Sequence, residues 1–163
     1  FCLSRGLGDV YKRQNYDSQK EYAITVESQT SLNLYRILFV TAQAMMKIVD
    51  GGEFDVAKRT VAATKLQDND EVISVEIIRE QKQVILQSAE GYFLRFGLEE
   101  VPEKKKSAVG VRGMKLSDKD HVEAVYYTLA AMPDPDIVYK DKHVELQRIK
   151  PQHRDSKGTK LRL

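Results

Sequence analysis

The feature that most constrains the fold of this 163-residue chain is an internal repeat with a spacing of about 50 residues. Residues 59–75 (RTVAATKLQDNDEVISV) align with residues 107–125 (SAVGVRGMKLSDKDHVEAV), and the alignment places Val72 on Val122. A chain that repeats a unit of this size is expected to build one structural motif several times and to stack the copies.

A third copy and a set of preceding hairpins extend the repeat. RDSKGTKL at residues 154–161 aligns so that its Thr-Lys-Leu tripeptide lies on residues 64–66. ILFVTAQAMMKIV at residues 37–49 has the same layout as VILQSAEGYFLRF at residues 84–96, and each stretch precedes one copy. The repeated unit therefore includes a hairpin that precedes each copy of the motif.

Most of the chain consists of short apolar stretches with a period of two, which favours strands over helices. In one stretch, Ile73, Val75 and Ile77 are predicted to share one face. In another, Arg95 is predicted to point away from a face made by four large apolar side chains of residues 92–98. Both stretches are interpreted as half-buried strands.

The clearest local prediction is a hairpin at residues 84–98. Two strands are joined there by Ser-Ala-Glu-Gly at residues 88–91, and Gly91 can adopt the positive φ that a short turn needs. Residues 133–136 (PDPD) and 140–142 (KDK) indicate two further turns.

A unit of about 45 to 50 residues with about four strands has the size of a propeller blade. The predicted fold is all-β and propeller-like, with about two complete four-stranded blades and partial blades, in one domain at residues 15–163. The blades are placed at about residues 36–80, 82–128 and 136–163. Residues 1–14 (FCLSRGLGDVYKRQ) resemble a translated adapter and are interpreted as a non-native leader.

Composition excludes several classes of protein. No apolar run approaches the roughly 18 to 20 residues that cross a bilayer, so no membrane association is expected. The single cysteine, Cys2, cannot form an internal disulfide framework or a multi-cysteine zinc site, which is typical of a reducing cytosol. A cytoplasmic location is expected.

Charge follows the repeat. Residues 54–66, 102–116 and 148–162 carry net charges of +2, +4 and +5. Residues 67–80 and 117–136, which follow the first two basic stretches, each carry −4. If equivalent loops of stacked blades lie on the same rim, the basic stretches form a band that can follow and bend a duplex phosphate backbone.

Three functions are compatible with this pattern. The first is duplex DNA wrapping, and the second is a propeller-like protein-interaction module in which the charges only maintain solubility. The third, an enzyme with its site at a blade centre, has little support because no acid, base or metal-ligand cluster recurs.

The three histidines, His121, His143 and His153, lack a second ligand at metal-site spacing, and no phosphate-binding glycine loop occurs. Tyr92, Phe93 and Phe96 are interpreted as core rather than as a base-stacking platform.

The repeated motif resembles a known family. AVGVRGMKLSDKDHV at residues 108–122 and KRTVAATKLQDNDEV at residues 58–72 are similar to the blade motif of the C-terminal domains of the A subunits of DNA gyrase and topoisomerase IV. The resemblance implies a β-pinwheel, a propeller-like disc whose neighbouring blades exchange strands and whose basic rim wraps duplex DNA. It also implies that the DNA-binding residues are Lys58, Arg59, Lys65, Lys104, Lys105, Lys106, Arg112, Lys115, Arg154, Lys157 and Lys160.

The resemblance carries further expectations about the whole enzyme. It implies a type IIA topoisomerase that uses ATP and Mg²⁺ bound in other domains, with no cofactor and no catalytic residue in this part. It implies that double-stranded DNA, the ATPase (B) subunits and a second copy of the A chain are partners in an A2B2 assembly.

Two departures from the family pattern are present. The gyrase signature box QRRGGKG does not occur, and EKKKSAVG at residues 103–110 is a degenerate relative of it. Ala44 stands where the second hairpin has Gly91, so the first hairpin is expected to be looser or differently turned.

Overall fold

The computed structural model describes residues 30–57 and 61–161. The proposed leader at residues 1–14 and the predicted DNA-binding residues Lys58 and Arg59 lie outside these ranges. The regular structure of the described residues is β-strand with short 3-10 turns. The strands are β1 (Arg36–Thr41), β2 (Met45–Asp50), β3 (Val72–Ile78), β4 (Gln81–Ser88), β5 (Tyr92–Gly97), β6 (Val111–Arg112), β7 (Val122–Leu129), β8 (Asp136–Tyr139), β9 (Lys142–Glu145) and β10 (Thr159–Lys160).

The strands form two four-stranded sheets and one hairpin. The first sheet has the order β3-β1-β2-β6, and the second has the equivalent order β7-β4-β5-β10. The third unit is the β8–β9 hairpin, and all the strand pairings are antiparallel. This arrangement confirms the prediction of an all-β, propeller-like fold with about two complete four-stranded blades, and the β8–β9 hairpin belongs to one of the predicted partial blades.

The outer strand of each sheet comes from the following repeat. Strand β6 pairs with β2 and places Arg112 opposite Met45, while β10 pairs with β5 and places Lys160 opposite Tyr92. Lys160 is therefore the equivalent of Arg112. The predicted register of the third copy, which placed Lys160 on Lys65 and hence on Lys115, was wrong by three residues. Pairing with the neighbouring hairpin sets the register, whereas the shared Thr-Lys-Leu letters do not.

Two equivalent glycines allow this pairing. Gly110 has φ +104°, and a Cβ there would lie 2.4 Å from the carbonyl oxygen of Met46. Gly158 has φ +86°, and a Cβ there would lie 2.6 Å from the carbonyl oxygen of Phe93. The chain can approach the hairpin edge this closely only without a side chain.

The two hairpin turns have the same geometry. The N–H of Gly91, at φ +87°, donates to the Ser88 carbonyl at 3.0 Å, and the N–H of Ala44, at φ +62°, donates to the Thr41 carbonyl at 2.9 Å. The expectation of a looser or differently turned first hairpin was therefore wrong. Ala44 adopts the left-handed conformation at a cost of about 1–2 kcal/mol, and its complete burial in the core holds it there.

An aspartate clamps each hairpin turn to the connection that follows the basic stretch. Asp70 Oδ1 accepts the backbone N–H of Gln43 at 2.9 Å, and Asp120 Oδ1 accepts that of Glu90 at 3.0 Å. Directly after each clamp, Val72 pairs with Thr41 just as Val122 pairs with Ser88. The predicted equivalence of the first two copies is confirmed here, and part of the periodic acidity is structural.

The interpretation of residues 92–98 as a half-buried strand was wrong, because side chains on both faces of β5 are buried. In β4 and β5, Leu86 and Leu94 belong to the cluster between the two sheets, whereas Ile85 and Phe93 pack against the β8–β9 hairpin. Both faces are covered because sheets in this fold stack face to face. Phe93 and Phe96 are completely buried, which confirms that they are core residues.

Arg95 does point away from the central cluster, but it is not in solvent. Its side chain is 14% exposed, its Nη1 lies 2.6 Å from Asp134 Oδ2, and its Nε donates to Gln83 at 2.7 Å. Ile73 also departs from the predicted face: a bulge opposite Val40 and Thr41 turns it into the central cluster, while Val75 packs on the other side.

The sheets meet near the edges that lie opposite to β6 and β10. The hydroxyl groups of Ser74 in β3 and Tyr127 in β7 are 2.7 Å apart. Strands β6 and β10 therefore lie at the outer edges of the two sheets. In the part of the chain that the structure describes, no helix is long and apolar enough to cross a membrane.

We expect Gly110→Ala to lower the free energy of unfolding by about 1–3 kcal/mol, because the new Cβ meets a backbone carbonyl at a strained φ. Urea denaturation followed by circular dichroism measures the change. Ser107→Ala, at an exposed position of the same loop, is the matched control and should change stability by less than about 0.5 kcal/mol. Equal stability of the two variants would contradict the close approach.

Candidate nucleic-acid interface

Most of the basic side chains of the predicted set lie on two equivalent segments that run along the outer edges of the sheets. We call residues 102–113 the first crossing segment and residues 150–161 the second crossing segment. The first lies beside β2, where the N–H of Lys104 donates to the Ile48 carbonyl at 2.8 Å. The second lies beside β5, where the N–H of Gln152 donates to the Arg95 carbonyl at 2.8 Å. Backbone pairing thus holds both segments at the edges of the sheets.

Lys104 and Lys105 are exposed on the first crossing segment. The Lys105 side chain is 82% exposed, and its ammonium lies 3.3 Å from Glu53 Oε1. An ion pair this exposed contributes little to stability and is readily exchanged for another anion. Both lysines can therefore reach a phosphate.

Lys157 and Lys160 are exposed on the second crossing segment and converge on one ring. The ammonium of Lys157 is 4.7 Å from the centroid of the Tyr92 ring, and that of Lys160 is 5.2 Å away. An aromatic face attracts a cation, and the side of the cation that points away from the ring remains accessible. Tyr92, which is half-buried, thus gathers two positive charges at the surface.

Three further basic side chains surround Asp155, a residue whose backbone has φ +65°. Arg112 makes a two-point contact with this carboxylate, with its second nitrogen 3.1 Å from Oδ2. The hydrogen bonds from Arg112 lower the pKa of Asp155, and the charges of Lys115 and Arg154 act in the same direction. Lys115 is exposed, so this cluster retains positive charge beyond the Arg112 pair.

Lys106 is engaged in a different way, in a latch with Glu53. Its backbone N–H donates to Glu53 Oε2 at 2.8 Å, and its ammonium donates to the Glu53 carbonyl oxygen at 2.9 Å. Burial raises the pKa of Glu53, but the Lys106 hydrogen bond and the Lys105 ammonium more than offset it, so the pKa is lowered.

The second crossing segment has the same latch. The backbone N–H of Arg154 donates to Glu100 Oε2 at 2.9 Å, and its Nε donates to the Glu100 carbonyl at 2.9 Å. Its Nη1 also donates to the Arg112 carbonyl at 2.6 Å. Lys106 and Arg154 therefore tie each crossing segment to the turn that follows the hairpin.

Lys65 is the remaining described member of the predicted set. It is exposed and lies between Val61 and Gln67, in a stretch without regular strand structure. Lys104 and Lys105 are sequence neighbours exposed on the first crossing segment. The structure gathers Lys157 and Lys160 at Tyr92 and places Arg112, Lys115 and Arg154 around Asp155.

Lys47 is a basic residue that the sequence reasoning missed. It lies in the middle of β2, is 1% exposed, and directs its ammonium to the carbonyl oxygens of Lys105, Lys106 and Ala108 at 3.1, 2.8 and 2.6 Å. Burial lowers its pKa to about 8, and the Glu53 carboxylate acts in the opposite direction. The group remains mostly protonated at pH 7, with three donors for three carbonyls.

Comparison with known proteins identifies this arrangement. The model of the family described as DNA gyrase C-terminal domain, beta-propeller, matches residues 35–79 and 82–128, which make up more than half of the chain. The chain belongs to this family. The two matched ranges contain one hairpin each and end with β3 and β7, so the match follows the repeat seen in the structure.

Relatives in the DNA gyrase C-terminal domain family are much longer than this chain. The A subunit of DNA gyrase from Lawsonia intracellularis is 33% identical over 88 residues, which cover 53% of this chain and 11% of that protein. The A subunit of DNA topoisomerase 4 from Streptococcus pneumoniae is 34% identical over 90 residues, covering 52% of this chain and 11% of that protein.

Solved structures show the same fold. The structure of a DNA gyrase A C-terminal domain superposes with a TM-score of 0.70 at 24% identity, over 93% of this chain and 51% of that one. The crystal structure of the C-terminal domain of a DNA topoisomerase IV gives a TM-score of 0.66 at 23% identity, over 78% of this chain and 41% of that one. The chain thus spans about half of these solved domains, and the family's β-pinwheel is its fold.

Within this gyrase-family fold, Lys47 and the two latch glutamates had weak sequence signals. Lys47 is a single charge inside the apolar run AMMKIV, and such a charge in a strand needs a partner. Glu53 and Glu100 each follow their hairpin by a few residues and occur at a spacing of 47, close to that of the repeat. Among the described residues, no group of three or more His, Cys, Asp or Glu is arranged to hold a metal ion.

The latch predicts different roles for adjacent lysines. We expect Lys106→Met to lower the free energy of unfolding by about 1 kcal/mol, because it removes the ammonium hydrogen bond to the Glu53 carbonyl and retains the apolar stem. Lys104→Met, the matched control, should change stability by less than about 0.5 kcal/mol. Urea unfolding of both variants measures the difference, and a more destabilised Lys104 variant would refute the assignment.

Proposed function

We propose that this chain binds and wraps double-stranded DNA as part of the A subunit of a type IIA topoisomerase, DNA gyrase or topoisomerase IV. The observation that carries the proposal is the position of the exposed basic side chains: Lys104 and Lys105 lie on one crossing segment, and Lys157 and Lys160 lie on the next. Each segment contains the outermost strand of its sheet, β6 in the first and β10 in the second. Positive charge repeated at this interval matches a polyanion that follows the rim.

The relatives support the assignment of the chain to the A subunit of such an enzyme. They are A subunits of DNA gyrase and of DNA topoisomerase 4, and the chain matches about a tenth of their length. On this basis the complete protein works with the ATPase (B) subunits and a second copy of the A chain in an A2B2 assembly. Its ATP and Mg²⁺ are bound in other domains, and this region contributes the DNA path.

The mode of contact follows from the side chains. The exposed basic side chains named above are lysines. A lysine acts as a flexible point charge and suits phosphate oxygens better than the edges of nucleobases. Binding should therefore be largely independent of sequence and steeply dependent on salt, because each neutralised phosphate releases bound counterions.

Fluorescence anisotropy with a labelled random-sequence duplex, across a salt series, tests the proposal. We expect log affinity to fall linearly with log salt, with a slope of about 0.9 for each phosphate engaged. The double variant Lys104→Glu/Lys105→Glu should weaken binding at low salt by at least about tenfold and reduce the slope by about 2.

The matched control is Lys119→Glu/Lys142→Glu, which makes the same charge change at exposed lysines outside the crossing segments. It should retain most of the affinity. Equal losses in the two double variants would mean that net charge alone drives binding. A folded chain that does not bind the duplex at low salt would instead favour the protein-interaction module.

A further inference from the structure

The environment of Lys47 differs from that of its counterpart in the second blade. Lys47 lies opposite Phe39 in the first hairpin, and the equivalent residue of the second hairpin, Leu94, lies opposite Leu86. Both positions are completely buried or nearly so. A leucine thus fits this strand position, and β-pairing does not explain the lysine.

The carbonyl groups beside these two residues have different donors. In the second crossing segment, the Ser156 carbonyl accepts the backbone N–H of Lys115 at 2.9 Å. In the first crossing segment, the equivalent carbonyl belongs to Ala108 and accepts the Lys47 ammonium at 2.6 Å. The Lys47 ammonium therefore supplies a hydrogen bond that a neighbouring backbone supplies in the next blade.

The same ammonium also binds the carbonyls of Lys105 and Lys106, so it sets the course of the chain from residue 105 to residue 108. That course determines where the exposed Lys104 and Lys105 side chains leave the backbone. A buried cation with three donors restricts a loop more strongly than a single hydrogen bond, because releasing the loop would leave the charge unpaired.

We infer that Lys47 is a positioning residue for the DNA surface: it organises the loop at residues 105–108 so that Lys104 and Lys105 are held toward the duplex, although it does not touch DNA itself. The inference has two parts. The part that concerns DNA, which we call the DNA arm, rests on the proposed function. The part that concerns the ordering of the loop, which we call the structural arm, is independent of DNA.

The structural arm is tested by amide hydrogen exchange on Lys47→Leu, a substitution that introduces the residue type found at Leu94. We expect exchange of the amides at residues 106–110 to accelerate by at least about fivefold, the effect of losing one typical hydrogen bond. Amides of β4 and β5 should be unchanged. Lys142→Leu, the same change at an exposed site, is the control. Unaltered exchange in the loop of the Lys47 variant would overturn the inference.

The DNA arm is tested by a double-mutant cycle with Lys104→Glu/Lys105→Glu. Lys47→Leu should weaken duplex binding by about threefold or more in the wild-type background and have no further effect in the charge-reversed background. The same loss in both backgrounds would show a general structural defect and would refute positioning. If the wild-type chain does not bind the duplex, the proposed function and this arm fail together, and hydrogen exchange alone decides whether Lys47 orders the loop.

A measurement on the unsubstituted chain covers the case in which Lys47→Leu does not fold. In ¹⁵N-detected spectra at neutral pH, a buried ammonium with three acceptors should give a slowly exchanging Nζ resonance, whereas exposed lysines exchange rapidly with water. Assignment of such a signal to Lys47 supports the inference. Rapid exchange at Lys47 would overturn it.

Discussion

The pairing of each crossing segment with the hairpin of the preceding repeat is the interaction on which the rest of the structure depends. A hairpin alone exposes an open edge, and that edge must be paired or covered. Here β6 and β10 cover the outer edges of β2 and β5, and they do so through only two residues each. Gly110 and Gly158 make the approach possible, and the latches at Glu53 and Glu100 secure the chain just before it. The same connection that closes a sheet therefore presents the basic side chains at its rim.

The periodic charge of the sequence has two physical origins. Part of it is structural, because Asp70 and Asp120 clamp the hairpin turns, while Lys106 and Arg154 bind the chain of the preceding turn. Another part lies in exposed lysines such as Lys105, whose ion pair with Glu53 is open to solvent and contributes little to stability. A charge count made on the sequence overestimates the surface field, since it cannot separate these two groups.

The limits of sequence reasoning follow from the range of each interaction. The hairpin at residues 84–98 was predictable because alternation and Gly91 act within a few residues. The latch between Lys106 and Glu53 spans 53 residues, and no local pattern identifies the partner. The burial of the second face of β5 was mispredicted because Arg95 has the appearance of an exposed residue, although Asp134 neutralises it in the interior. Ile73 was misplaced by a bulge, which shifts the alternation without leaving a mark in the sequence.

The division of labour between arginine and lysine connects the fold to its proposed role. Arg95, Arg112 and Arg154 each use the guanidinium fork for several directed contacts within the protein. Rigid, planar donors are suited to such fixed geometry, whereas a lysine loses more by being held. Lys47 and Lys106 are the exceptions: the compact ammonium of Lys47 fits the point at which three carbonyls converge, and that of Lys106 binds the Glu53 carbonyl. The other lysines of the crossing segments, Lys106 apart, remain at the surface, where flexible charges can follow a phosphate backbone without reading its bases. In the proposed role, contacts of this kind would be equally favourable at every register of a duplex, and for that reason the proposal is bending and wrapping rather than recognition of a site.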